Sequence, residues 1–345
     1  MTRKAVALIS GGLDSLLAAR VIQEQGIHVE GINFFTGFCV EGHTHAIRKK
    51  DKDKPKRNNA LWVAEQLDIK LHIVDIVEEY KDVVINPKHG YGAHLNPCLD
   101  CKIFMVRKAH EWIREKGFDF IITGEVMGQR PMSQRKETLP VVQQESGAED
   151  LLLRPLCARN LPPTLPEREG WVDRERLYDF SGRSRKPQIA LAKQFGFEDY
   201  AQPAGGCCFL TDENYSVKLQ DLWTNRGEKR YDIDDIMLLK VGRHLRPEGQ
   251  PFKLIIAREE GETRFLSGYK GQFQSLRTVS HGGPLALIDG PPLNEEQQRL
   301  AAAIVARYGQ GKTASEVELA YRPAGGEEIP IRTAPMAPHE IPQSW

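Results

Sequence analysis

The sequence predicts an α/β protein in which a parallel β-sheet comes first and a smaller α+β domain follows. Over roughly the first 160 residues, short apolar segments alternate with segments of helical periodicity. That alternation is typical of βα units built around a parallel sheet. After about residue 215 the pattern changes to short helices and a predicted hairpin. A chain of 345 residues is long enough for two domains.

The N-terminal elements follow from apolar periodicity and from the glycines and prolines that interrupt it. A proline-rich connection separates the last predicted strand from a helix with proline near its first turn and glycine at its end. We expect strands at 5–9, 29–35, 70–77, 118–123 and 151–156, helices at 16–22, 58–67, 103–116 and 183–196, and loops at 80–97 and 125–136.

The C-terminal part has shorter elements and ends in a polar, proline-rich stretch. We expect helices at 215–224, 233–239 and 295–308, a hairpin formed by 252–258 and 262–266, and a strand at 285–288. The predicted organisation is an α/β domain at 1–160, a connection at 161–214, and an α+β domain at 215–345.

Composition is that of an ordinary globular protein, with 40% hydrophobic and 27% charged residues and a formal net charge of zero. No segment has the length of a membrane span and no signal peptide is evident, so we expect a cytoplasmic protein without membrane contact. Residues 48–57 hold seven basic and two acidic side chains. This segment is either a solvated loop or a contact for a polyanion.

The first predicted strand leads into Ser10-Gly11-Gly12-Leu13-Asp14-Ser15 and then into a helix. Glycines at a strand-to-helix turn let backbone N–H groups approach an anion, and the helix dipole favours negative charge there. Neither a Gly-x-Gly-x-x-Gly fingerprint nor a Gly-Lys-Ser/Thr element stands at this loop.

This loop resembles the Ser-Gly-Gly-x-Asp-Ser pyrophosphate loop (PP-loop) of the N-type ATP pyrophosphatases. The resemblance implies an adenine-nucleotide α-hydrolase-like (Rossmann-like) fold that binds ATP and Mg²⁺. It implies an ATP site formed by the loop, by the end of the second strand and by the end of the fourth: Ser10, Gly11, Gly12, Asp14, Ser15, Asn33, Phe35 and Gly124.

The six cysteines are too few for a disulfide framework in a chain of this kind. Cys98-x-x-Cys101 precedes a predicted helix, where at least one thiol should have a lowered pKa. Such a pair is a redox pair, half of a zinc site or part of an iron–sulfur site. Cys207 or Cys208 can add a third thiolate. Cys39 and Cys157 are interpreted as small buried hydrophobic residues.

Three cysteines could hold a [4Fe-4S] cluster with one iron open to sulfide. The alternatives are a persulfide relay between two cysteines and a zinc ion.

A second resemblance is carried by Asn96-Pro97, Cys101-Lys102, Thr123-Gly124, residues 152–156 and Cys208-Phe209. With the glycine loop, these resemble the tRNA 2-thiouridylases over about residues 1–212. The resemblance implies sulfur-handling roles for Cys101 and Cys208 and an acid/base carboxylate, for which Asp100 is the nearby residue. The extra Cys98 turns the single cysteine into a Cys-x-x-Cys pair, which resembles that of the iron–sulfur-dependent tRNA thiolases. This resemblance implies Cys98, Cys101 and either Cys207 or Cys208 as metal ligands.

Residues 240–246 and 254–260 resemble the RNA-binding domain of the NFACT proteins. Arg243, His244, Arg246 and Arg258 either contact RNA phosphates there or lie at a solvated sheet edge.

Together these features predict a tRNA sulfurtransferase that adenylates a uridine oxygen with ATP and transfers sulfur, with residues 124–134 facing the nucleotide. Sulfide or a cysteine desulfurase system would supply the sulfur. The alternatives are the persulfide route without a cluster, a PP-loop ligase or sulfur-insertion enzyme acting on a small molecule, and a non-catalytic RNA-binding protein. The uridine, the choice between 2-thio and 4-thio products and the oligomeric state stay open.

Overall fold

The computed structural model describes residues 2–39, 58–201 and 208–345. The chain divides into an N-terminal unit, with described residues 2–39, 58–201 and 208–211, and a C-terminal unit, residues 212–345. The basic segment 48–57 lies outside the described residues. Within the described ranges, no helix has the length and apolar character needed to cross a membrane.

A five-stranded parallel sheet forms the centre of the N-terminal unit, in the strand order β3-β2-β1-β4-β5. The central strand is apolar, and its Ala5 and Val6 are fully buried. This arrangement confirms the predicted parallel α/β fold. The strands are β1 Lys4–Leu8, β2 His28–Phe35, β3 Leu71–Asp75, β4 Phe120–Ile122 and β5 Leu152–Leu153.

Helices flank this sheet and contribute about half of the buried residues of its core. α1 buries an almost continuous apolar face against the strands. The helices are α1 Leu13–Gln23, α2 Asn59–Leu67, α3 Val77–Ile85, α4 Cys98–Lys116, α5 Thr138–Glu145, α6 Leu165–Arg168 and α7 Lys186–Gln194.

Three of these helices, α3, α5 and the four-residue α6, were not expected from the sequence. α3 begins at Val77, where we expected the third strand to end and a loop to follow, because the Asp75 carboxylate accepts the Val77 N–H at 2.9 Å and fixes a helical turn. α5 was not predicted; its apolar face is short, with Leu139 and Val142 buried three residues apart.

The C-terminal unit contains a six-stranded antiparallel sheet in the order β11-β10-β8-β9-β7-β6. One apolar cluster joins the sheet to α11, and a second joins it to α10. The elements are α8 Glu213–Arg226, α9 Ile233–Leu238, β6 Arg243–Leu245, β7 Lys253–Ile256, α10 Glu260–Ser267, β8 Gln274–Thr278, β9 Leu285–Asp289, α11 Glu295–Arg307, β10 Val317–Arg322 and β11 Ile329–Thr333.

The predicted hairpin of 252–258 and 262–266 is wrong. β7 pairs with β6 and β9, and residues 262–266 lie in α10. Glu262 and Leu266, one helical turn apart, are both buried, and the Glu262 carboxylate accepts the Arg258 N–H at 2.7 Å. No strand was predicted in the polar, proline-rich end of the chain, where β10 and β11 form a hairpin.

Candidate active site at the Ser-Gly-Gly loop

The loop after β1 has the backbone of an anion cradle. Gly11 has a φ of +80°, and a Cβ placed on it would lie 2.7 Å from the Cβ of Asn59, so only glycine fits. Gly12 is the N-cap of α1 and offers no side chain to the N–H groups of the first turn. The Ser15 hydroxyl donates to the Gly12 carbonyl at 2.8 Å and holds the turn closed. The first amides of α1 therefore start beside a glycine turn with no side-chain cap.

Asp14 is the polar centre of this site. Its Oδ2 accepts hydrogen bonds from Gln129 Nε2 at 2.7 Å and from Arg185 Nη2 at 2.9 Å. Gln129 is held in turn by the fully buried Gln188, whose Nε2 donates to Gln129 Oε1 at 2.8 Å. Within the described residues, Asp14 Oδ1 is buried without a hydrogen-bond partner. An unsatisfied carboxylate oxygen beside a glycine turn fits a site for the magnesium complex of a nucleotide.

The ends of the neighbouring strands meet at this loop, as expected for a parallel sheet. Asn33 on β2 donates from Nδ2 to the Ile9 carbonyl at 2.7 Å, and Phe35 ends the same strand half-buried. Gly124 follows β4, and a Cβ on it would lie 2.5 Å from the Asp14 carbonyl carbon and oxygen. The structure therefore brings the loop 10–15, Asn33 and Gly124 to one edge of the sheet.

A buried ion pair lies immediately behind Gly124. Arg154 Nε donates to Glu125 Oε2 at 3.1 Å, and both side chains are at most 2% exposed. Thr123 donates to the same oxygen at 2.9 Å. Burial raises the pKa of Glu125, but the charges of Lys102 and Arg154 and these hydrogen bonds outweigh it and hold the pKa below its ordinary value.

Cys157 is a buried residue of this region, as predicted. Its Sγ donates to the Glu125 carbonyl at 3.3 Å, and burial raises the pKa of the thiol to about 11. Cys39, in contrast, is only partly buried, so the prediction that it is a core residue is wrong.

We expect iodoacetamide at pH 7.5 to modify Cys157 roughly 100-fold more slowly than a solvent-exposed thiol, because little thiolate forms at that pH. A time course of alkylation, read by peptide mass spectrometry on the native chain, measures this difference. The same peptide in 8 M urea is the control, and rapid labelling of native Cys157 would contradict its placement in the core.

Cys98 and Cys101 occupy the first turn of α4 rather than the segment before it. Cys98 Sγ donates to Ser133 Oγ at 3.3 Å. The carboxylate of Asp100 accepts the backbone N–H groups of Lys88 and His89, at 3.0 Å each. Asp100 thus anchors the preceding loop, and its expected acid/base role stays a prediction.

The predicted third metal ligand falls at the limit of the described structure. Cys207 lies outside the described residues, whereas Cys208 forms a β-bridge with Cys39. Within the described ranges, no three Cys, His, Asp or Glu side chains are placed to hold a metal ion. The described donors therefore do not fit the [4Fe-4S] cluster.

Arg185 and Gln188 were absent from the sequence-based site. Arg185 immediately precedes α7 and lies 171 positions from Asp14 in the sequence. No motif links residues so far apart. The sequence offered one indication that Arg185 belongs to the site: it is a basic residue at the start of the helix that follows the proline-rich connection.

The four C-terminal residues expected either to contact phosphates or to lie at a solvated sheet edge differ in exposure: His244 is buried, Arg243 and Arg246 are partly exposed, and Arg258 is exposed. His244 is fully buried, its ring Nε2 lies 3.0 Å from the Val241 carbonyl, and burial lowers its pKa well below the ordinary value. Arg246 makes two hydrogen bonds to Asp221, and Arg258 pairs with Glu262. The Arg243 guanidinium lies over the ring of Tyr308. Burial makes phosphate contact wrong for His244, whereas for Arg243, Arg246 and Arg258 the two alternatives stay predictions.

Two family models match the chain. The first is described as the tRNA methyl transferase HUP domain and matches residues 3–148. The second, the NFACT protein RNA binding domain, matches residues 242–345. These matches confirm the resemblance to a PP-loop fold and to the NFACT RNA-binding domain.

Curated relatives of the N-terminal part include tRNA-specific 2-thiouridylases MnmA. The protein of Petrotoga mobilis is 34% identical over 128 residues, which cover 35% of each chain. One from Clostridium botulinum strain Loch Maree is 32% identical over 251 residues, covering 71% of this chain and 65% of the relative. The chain thus spans about a third of the length of the first relatives and about two thirds in the longer alignment.

Among solved structures, a 4-thiouridine synthetase in complex with RNA and ATP is 22% identical. The similarity covers 69% of this chain and 52% of that one, with a TM-score of 0.40.

Proposed function

We propose that the protein is an ATP-dependent tRNA sulfurtransferase of the cytoplasm. ATP activates a uridine oxygen, O2 or O4, as an adenylate with release of pyrophosphate; sulfur then attacks the activated carbon and AMP leaves. The observation that carries the proposal is the unsatisfied Asp14 oxygen beside the Gly11-Gly12 turn. The 2-thiouridylase relatives of the same domain support tRNA as the substrate.

The residues around the loop have distinct tasks in this proposal. The first amides of α1 hold the departing pyrophosphate, whose negative charge the helix N-terminus favours. Asp14 would hold Mg²⁺, which when bound neutralises phosphate charge. Arg185 and Gln129 orient the Asp14 carboxylate by donating hydrogen bonds to its other oxygen, Oδ2. Asn33 and Phe35, at the end of β2, border the adenine.

Sulfur is carried on cysteine in this proposal, with Cys208 as the carrier and Cys101 in the first turn of α4 as a second sulfur-handling residue. A cysteine desulfurase system would supply the sulfane sulfur of the Cys208 persulfide, whereas sulfide would be the donor only in the cluster alternative. The cluster alternative requires a third ligand from outside the described residues, so it makes a separate prediction: about four irons per chain, as in a [4Fe-4S] site.

The deciding experiment measures AMP release from ATP and thiouridine formation in unmodified tRNA, with iron and sulfide analysis of anaerobically purified protein. We expect both products to depend on tRNA, and Asp14→Asn to lower the rate roughly 100- to 1,000-fold. AMP release with a small molecule but not with tRNA would favour a PP-loop ligase. No ATP turnover at all would favour a non-catalytic RNA-binding protein.

The C-terminal unit offers a group of basic side chains for holding the tRNA. Arg277 on β8 pairs with Glu328, and this hydrogen bond, with the charges of Lys270 and Arg322, lowers the pKa of that carboxyl. Three cations around one carboxylate leave local positive charge on a domain that matches an RNA-binding family. We therefore assign Lys270, Arg277 and Arg322 to phosphate contact.

Replacing Lys270 and Arg322 together with glutamine should weaken tRNA binding roughly tenfold and reduce the slope of log affinity against log salt by about 2, because two phosphate contacts are lost. Filter binding between 50 and 200 mM salt measures both quantities. The matched control is the double variant Arg264→Gln/Arg299→Gln, in which each arginine pairs with a glutamate one helical turn away. An equal loss in the control would contradict the assignment.

A further inference from the structure

Cys39 and Cys208 lie directly opposite each other across an antiparallel β-bridge of the N-terminal unit. The Phe209 N–H donates to the Phe38 carbonyl at 2.9 Å. That bond joins the residue after one cysteine to the residue before the other, so the cysteines form a non-hydrogen-bonded pair. The Cα atoms of such a pair are about 4.5 Å apart. Disulfides span Cα separations of about 4.4 to 6.8 Å, so the backbone places these thiols within reach of one S–S bond.

Cys39 lies close in sequence to the strand end that is proposed to border the adenine of ATP. Cys39 follows the carboxyl end of β2, four residues after Phe35, and β2 borders the strand that leads into the Ser-Gly-Gly loop. The Thr36 hydroxyl lies 3.7 Å from Cys39 Sγ, and the Thr36 side chain is buried. Both cysteines are partly exposed, in contrast to Cys157. The bridge therefore places two partly exposed cysteines after the strand end where ATP is proposed to bind.

We infer that Cys39 is the resolving thiol for Cys208 in sulfur transfer. This inference rests on the proposed function, and it assigns a role that no sequence motif gave to Cys39. The register of the bridge fixes Cys39 opposite Cys208. Cys98 and Cys101 are positioned by a different element, α4.

The proposed chemistry balances in two steps. The terminal sulfur of a Cys208 persulfide attacks the activated uridine carbon, the bond from that carbon to the adenylate oxygen breaks, and AMP leaves with the electron pair. The Cys39 thiolate then attacks Cys208 Sγ; a Cys39–Cys208 disulfide forms, and the sulfane sulfur leaves with its electron pair as the thiouridine sulfur. A dithiol reductant supplies two electrons to restore both thiols.

The pairing is tested first without tRNA, so that its outcome does not depend on the proposed function. The full chain is oxidised briefly with diamide, blocked with N-ethylmaleimide and mapped by non-reducing peptide mass spectrometry. The same mapping on Cys207→Ser separates the two adjacent cysteines. We expect a Cys39–Cys208 cross-link in both proteins. A cross-link from Cys208 to Cys98 or Cys101, or Cys39 recovered fully alkylated, would overturn the inference.

The catalytic role is tested in a single turnover with persulfide-loaded protein, ATP and tRNA. Cys39→Ser should release AMP at the normal rate but free thiouridine at least tenfold more slowly, leaving tRNA bound to the protein on a non-reducing gel. Dithiothreitol should restore release, because an external thiol replaces Cys39. Normal release from Cys39→Ser without added thiol would refute the resolving role even if thiolation itself is observed. Absence of thiolation in the parent protein would instead reject the proposed function.

Discussion

Replacing Arg154 with methionine is expected to destabilise the N-terminal unit by about 3–5 kcal/mol, because the change leaves the buried Glu125 carboxylate without its cation. Arg154 also donates from Nη2 to the Leu139 carbonyl at 3.1 Å and from Nη1 to Gln143 Oε1 at 3.3 Å. Its loss therefore also removes contacts between β5 and α5. Hydrogen exchange of the β4 and β5 peptides measures the effect within this unit.

Two controls show whether burial of the pair causes this loss. The double variant Arg154→Met/Glu125→Gln should be destabilised by clearly less than the sum of the two single variants, because no uncompensated charge remains. The surface pair Arg168–Asp150, with side chains 45% and 53% exposed, is the matched comparison. Arg168→Met should destabilise the chain far less than Arg154→Met, because water screens an exposed pair. Additive single effects would mean that the two buried charges do not depend on each other.

The parts of the fold that the sequence predicted are those with a local cause. The strand, glycine turn and helix of residues 4–23 follow from short-range apolar patterning and from the φ of +80° at Gly11. The α10 helix was mistaken for a strand because its decisive contact, the hydrogen bond from the Arg258 N–H to Glu262, is a side-chain event that periodicity does not report. β11 was missed because it contains Pro330, and proline normally argues against a strand; pairing with β10 provides the missing support.

In the candidate site, too, the residues that could be predicted are those whose role has a local cause in the sequence. The loop 10–15 could be read directly, since its residues are neighbours in the chain. Arg185 and Cys39 could not, because each acquires its role from a partner more than 160 positions away, Asp14 and Cys208 respectively. Long-range register of this kind is fixed by the assembled sheet and leaves no trace in local composition.

Arg185→Ala is expected to lower tRNA-dependent AMP release roughly 100-fold, the usual size of the loss when one charged group is removed from a phosphate-transfer site. The guanidinium is only 23% exposed and donates to Asp14 Oδ2, so its removal frees the carboxylate to rotate and takes positive charge from the nucleotide. Arg185→Lys should recover part of the rate, since lysine supplies the charge but not the planar fork of donors. Arg183→Ala, exposed two residues earlier, is the matched control.

The double variant with Asp14→Asn distinguishes two ways in which Arg185 can act. If Arg185 only orients Asp14, then Arg185→Ala should have little further effect once the carboxylate has become an amide, and the two losses should not add. If the guanidinium contacts the phosphates itself, the second loss should persist and the KM for ATP should rise as well. The observed hydrogen bond to Asp14 Oδ2 favours the first result, because the Arg185 guanidinium already donates to this carboxylate. An Arg185→Ala enzyme with the parent rate and KM would contradict both readings and would reduce the pair to a structural contact.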